Sequence, residues 1–220
     1  MPAAIAALAA FLSLQPPTLS RAKYNWPPAS LVPVQSKNPG DLAVGKMLVA
    51  SRALHDPNFA QTVILLVRYN DQGVIGLILN RPTTIPISQV LDLDSAKNCT
   101  DPAWLGGPME PSVAFALYQT PGKLDKAESI FSGVYMITDR KLFEKTIATH
   151  PDPHVFHVYL GYAGWTQDQL QAEVKLGAWY IFPADPDSVF TSDPNSLWQT
   201  MIDNTNLLQA RNTPPRLPGE

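Results

Sequence analysis

The segment "GLILNRPTT", Gly76–Thr84, carries a short apolar run straight into Asn80, Arg81 and Pro82. Arginine offers a planar fork that grips carboxylate or phosphate with two parallel bonds, and an asparagine amide donates and accepts at once. Proline disfavours helical geometry in the residue before it, so Arg81 is held extended at the end of a strand. Two readings follow. Asn80 and Arg81 tie a turn together through an amide and an internal ion pair, or the strand presents them to an anion.

Other residues invite chemistry less strongly. His55 beside Asp56 in "HDPNF" could orient an imidazole for proton transfer. Asp56 followed by Pro57 also has the form of a cap with proline at the first position, and the same pair recurs at Asp185-Pro186 and Asp193-Pro194. The capping reading is preferred. "HPDPHVFH" brings His150, His154 and His157 close in sequence. Pro151 and Pro153 break any helix there, and on a strand His154 and His157 point to opposite faces, so no metal site is expected. Cys99 is the single cysteine; it forms no intramolecular disulfide and has no histidine beside it to activate a thiolate. Phosphate-loop, dinucleotide, zinc-protease and serine-hydrolase signatures are absent from the sequence. No cofactor is implied.

The elements that must position these residues emerge from the rest of the chain. Its 220 residues are 45% hydrophobic, enough for one sizeable core, and its net charge of −3 without a dense basic cluster disfavours direct nucleic-acid binding. Strands are expected at Met47–Ala50, Thr62–Val67, Val74–Leu79, Val113–Tyr118, Val134–Ile137, Val155–Leu160 and Trp179–Phe182. The run "TVILLV" has the unbroken apolar character of a strand buried on both faces. Asn70-Asp71-Gln72-Gly73 marks a hairpin with a somewhat long loop. Helices are expected after Pro86, over 140–148 behind the cap Asp139, from a capping box at Thr166 and Gln169 to about Leu176, and at Asp185-Pro186 and Asp193-Pro194. Strands and helices mix without strict alternation, which favours α+β.

The ends differ in character. Pro16, Pro17, Pro27, Pro28, Pro33 and Pro39 exclude helix and central strand between Gln15 and Gly40. "AAIAALAAFLSL" has the length of a signal-peptide core, but no Lys or Arg precedes it and no clear cleavage site follows. Residues 1–40 are therefore expected to be a signal-like or disordered Pro-rich extension, 41–208 the domain, and 209–220 a Pro-rich tail.

"GKMLVASRALHDPNFAQTVILLVRYNDQGVIGLILNRP", "LGGP" at Leu105–Pro108 and "LGYAGWTQDQLQAEVKLGAWYIFPADPDSVF" follow one another in the order of a known pattern. On these three blocks the chain resembles the AlgH family of bacterial proteins, also called YqgE-like. Position 52 is Arg where that family usually has Pro. The resemblance implies a single α+β domain with a bifurcated mixed β-sheet curled into a partial barrel and helices packed outside. It implies a cytoplasmic location, against which the signal-like start leaves export open. The family label of transcriptional regulator brings no established reaction or ligand. If the blocks converge, Asn80, Arg81, Gly106, Gly107, Trp165 and Gln169 line one cleft, with Arg81 and glycine amides suited to an anionic or carbonyl-bearing ligand. The leading expectation is a regulatory or binding module for a small anionic ligand or a protein partner. The alternative is a hydrolase, such as a phosphodiesterase, with its acid–base group among His55, Asp56 and Glu173. Against both stands an Asp56–Arg81 ion pair that staples the sheet, the role preferred for Asp56 while Arg81 stays open.

Overall fold

A computed structural model describes residues 35–212, with side chains through 205. The expectations for 1–34 and 213–220 lie outside the described residues. Ten strands form one sheet in the order β10-β1-β2-β3-β9-β6-β8-β7, with the β4–β5 pair attached to β9 through β5. The strands are β1 (Lys46–Ala50), β2 (Val63–Asn70), β3 (Gly73–Ile78), β4 (Pro82–Pro86), β5 (Pro102–Leu105), β6 (Met109–Gln119), β7 (Glu128–Phe131), β8 (Val134–Ile137), β9 (Phe156–Trp165) and β10 (Trp179–Pro183). The helices are α1 (Ile87–Val90), α2 (Arg140–Ile147), α3 (Gln167–Lys175), α4 (Pro186–Val189) and α5 (Pro194–Asn212). The sheet curls into a half-barrel in a single α+β domain.

The apolar run of β2 is enclosed on both faces: Val63 to Leu66 are 0% exposed. Helix α3 packs on β3 and β10, and α5 packs on β1, where Trp198 Nε1 donates to the Ala50 carbonyl at 2.8 Å. A second, smaller core lies where Phe143 and Ile147 of α2 meet Ala116, Phe156 and Val158 of the sheet. Caps open the helices as their residue types require: Asp139 accepts from the Leu142 amide, Thr166 from Gln169 and Asp185 from Ser188. The capping box is incomplete, because the Gln169 side chain turns to Glu173 instead of the cap backbone. The β2–β3 hairpin is also tighter than expected. Asn70 pairs with Gly73, so the loop is Asp71-Gln72 alone.

The fork of the sheet is built on β9. Its first half pairs with β6 and, in parallel, with β5; its second half pairs antiparallel with β3. Gly161, at the branch, takes φ +67, a left-handed conformation that favours glycine. Gly106 and Gly107 cross this point. A Cβ on Gly106 would lie 2.3 Å from the Gly161 carbonyl oxygen, and one on Gly107 2.1 Å from the Tyr162 carbonyl carbon. The glycine block is thus what lets two branches of backbone share one strand.

Part of the Pro-rich segment lies on the domain. Ser36 forms an antiparallel bridge with Ile181 on the outer edge of β10, and Lys37 Nζ stands 4.5 Å from the Tyr180 ring centroid.

Candidate functional site

The strand end at Asn80 gives its two polar residues different tasks. Asn80 Oδ1 accepts from the Val63 amide at 2.9 Å, and Asn80 Nδ2 donates to the Gln61 carbonyl at 2.9 Å. The side chain thereby extends the β2–β3 ladder beyond its last backbone bond, Leu79 to Val63, and fixes the foot of the loop 51–62. Asn80 is the tie.

Arg81 is not. Its guanidinium has one long bond, Nη2 to the Pro57 carbonyl at 3.4 Å. The ion pairs among the described residues are Arg52–Asp203, Lys97–Asp94 and Arg140–Glu144, and none includes Arg81. The expected Asp56–Arg81 staple does not form, because Asp56 turns inward on its own loop: its carboxylate accepts from the Asn58 amide at 2.7 Å and its carbonyl from Phe59 and Ala60. Asp56 acts as a turn cap, as its proline neighbour suggested, although the turn does not lengthen into a helix. Arg81 is half-buried, and partial burial holds its pKa below the ordinary guanidinium value.

Trp165 and Gln169 meet at a shared carboxylate, Glu173. Glu173, one turn beyond Gln169 on α3, accepts from Trp165 Nε1 at 3.1 Å, Trp179 Nε1 at 2.8 Å and Gln169 Nε2 at 3.1 Å. Phe59 stacks on Trp165 with ring centroids 5.6 Å apart and meets Trp179 edge-on at 5.9 Å. The loop 51–62 therefore touches three of the expected residues in turn: Pro57 meets Arg81, Phe59 meets Trp165 and Gln61 meets Asn80. Gly106 joins the Arg81 side through Leu105, whose amide donates to the Arg81 carbonyl at 2.9 Å. The Gly106 amide itself donates to Leu160 at 2.8 Å, so it faces the sheet. The contacts sort the six expected residues into two groups. They are a strand-end group at Asn80, Arg81 and Gly106-Gly107 and an indole–carboxylate group at Trp165 and Gln169, bridged by one loop.

His154 falls in the turn before β9 and not on the strand, so the parity expected to set it against His157 does not apply. His150 sits in a loop with φ +48, whereas His157 is 6% exposed and stacks on Trp104 at 4.3 Å. Its Nδ1 lies 3.3 Å from the Tyr159 hydroxyl. Burial lowers the His157 pKa to about 3 and raises that of Tyr159. Strand parity puts His157 and Tyr159 on one face of β9, but Trp104 joins them only through the parallel β5–β9 pairing, which the sequence does not display. Cys99 lies 3.8 Å from an Asp101 carboxylate oxygen, and burial raises its thiol pKa. No group of three metal-ligating side chains occurs among the described residues, nor does a helix long and apolar enough to cross a membrane.

Comparison with known proteins places this architecture. The AlgH-like family model matches residues 47–208. A UPF0301 protein of Thioalkalivibrio sulfidiphilus is 35% identical over 70% of this chain and 84% of its own length. One from Chlorobium luteolum is 34% identical over 81% of this chain and 94% of its own. The solution structure of AlgH from Pseudomonas aeruginosa superposes with a TM-score of 0.60 at 28% identity, covering 78% of this chain and 94% of that one. A crystal structure from Corynebacterium diphtheriae shares the fold with a TM-score of 0.58 at 19% identity, over 80% of this chain and 90% of its own. The matched span holds the glycine fork, the clamped loop and the tryptophan pair, and this chain belongs to the AlgH-like family.

Proposed function

We propose that this chain is a binding module, acting in regulation, that receives a small anionic ligand at Arg81. One observation carries the reading: a half-buried guanidinium at a fixed strand end, with a single long bond to a carbonyl and no acidic partner among the described residues. A partly desolvated cation without a counter-ion is an incomplete ion pair, and an arriving carboxylate or phosphate completes it. Asn80 supports the site by fixing the loop that carries Pro57. The hydrolase alternative has less support. Glu173 is occupied by three donors and Asp56 by the Asn58 amide.

The test is titration calorimetry with acetate and inorganic phosphate on the full chain, beside Arg81→Lys and Arg81→Gln. Wild type binds at least one anion. Both variants keep their melting temperature without ligand and bind at least tenfold more weakly, Lys because it lacks the fork. Equal affinity in Arg81→Gln would refute the site.

A further inference from the structure

The sheet continues from Arg81 as a row of apolar side chains. Arg81, just before β4, stands opposite Leu105 of β5, joined by the Leu105 amide and Arg81 carbonyl beside the Pro82–Trp104 pair. Leu105 pairs with Leu160 of β9, and Leu160 pairs with Ala114 of β6. Residues opposite one another on neighbouring strands share a face. Arg81, Leu105, Leu160 and Ala114 therefore form one line across four strands. The next line inward, Ala103, Val158, Ala116 and Ile137, is fully buried in the smaller core. The outer line is not closed over: Leu105 is 38% exposed, and Arg81, Leu160 and Ala114 are half-buried.

We infer that this line binds an unbranched hydrocarbon carboxylate, its head on Arg81 and its chain along Leu105 and Leu160 toward Ala114; the inference rests on the anion reading of Arg81. Three inter-strand steps of about 4.8 Å span roughly 14 Å, which suits a medium-chain fatty acid. Charge complementarity selects an anionic head. The rest of the line favours hydrocarbon over peptide, because Leu105, Leu160 and Ala114 have no polar side-chain atom. A peptide chain laid on them would lose water from its amides without replacement partners. A hydrocarbon tail loses nothing there and covers apolar surface.

The test uses the full chain and titration calorimetry with acetate, hexanoate and decanoate below its micelle concentration, with decanol as the uncharged control. A buried methylene is worth up to about fourfold in affinity. On this half-open line affinity rises about twofold per methylene from acetate to decanoate, and decanol binds at least tenfold more weakly than decanoate. Arg81→Gln weakens decanoate at least tenfold. Leu105→Ser, at an exposed position, flattens the chain-length dependence from acetate to decanoate. Affinity that is flat from acetate to decanoate but still needs Arg81 overturns this inference and leaves the anion site standing. Decanoate binding indifferent to both substitutions overturns it as nonspecific adsorption. Failure of every anion to show Arg81-dependent binding overturns both readings.

Discussion

Replacing Glu173 by alanine should cost about 3.5 kcal/mol, and the figure can be assembled from the contacts. The carboxylate accepts two indole N–H groups and one amide. Trp179 is 1% exposed and Trp165 6%, so water does not readily replace the lost acceptor. Each orphaned indole costs about 1–3 kcal/mol, toward the middle of that range for a bond to a charged group. Gln169 is exposed and turns to solvent at little cost. Alanine's better helix propensity on α3 returns a few tenths of a kcal/mol. Glu173→Gln keeps an acceptor oxygen but loses the charge, and its loss should be about 1 kcal/mol. The assay is equilibrium urea unfolding followed by tryptophan emission, with the slope against denaturant compared between variants to confirm an unchanged unfolding transition. A loss below about 1 kcal/mol for alanine, or an alanine variant no weaker than the glutamine variant, would show that the two indoles find other partners and that the carboxylate does not hold them.

Three further outcomes are expected. Gly107→Ala should prevent folding or cost about 4 kcal/mol or more, since its Cβ would meet backbone at 2.1 Å, whereas Gly122→Ala meets nothing within 4 Å and should be neutral; soluble yield and urea midpoints check both. Asn80→Asp keeps the acceptor for Val63 but sets a carboxylate oxygen against the Gln61 carbonyl, with an expected loss of about 2 kcal/mol in the same assay. His157 has its folded pKa at about 3, below 6.5, so the unfolded chain takes up the extra proton. Its stabilising contribution is complete above pH 6.5 and declines as pH falls toward 3. Between pH 6.5 and pH 5 wild type should lose about 2 kcal/mol more than His157→Phe, and parallel pH profiles of the two would remove the linkage.

Much of the fold was readable because its elements announce themselves locally. Val134–Ile137 and the helices behind Asp139, Thr166 and Asp185 carry their own periodicity and caps. The second half of β9 was not readable, because Gly161 and Gly164 resemble a break where the structure uses them for the fork. Strands β4 and β7 are short and lie at sheet edges, where burial imposes no alternation. At the site, sequence alone identified Asn80 and Arg81 as a strand end but not their division of labour. That division depends on where Asp56 points, and a turn residue's choice between its own backbone and a distant arginine is settled by tertiary geometry. Gly106 and Gly107 read equally well as ligand-facing amides or as a close crossing. Only the position of β9 distinguishes these.

The shared strand also sets an order of events during synthesis. β1, β2 and β3 are complete early in the chain, yet β3 finds its other neighbour only when Ala163, Gly164 and Trp165 emerge. At roughly 5–20 residues per second the nascent sheet waits several seconds with that edge unpaired. Its apolar strands are then an adhesive surface for other unfinished copies. Yield of this protein should therefore respond to translation speed and chaperone supply more than its finished stability suggests.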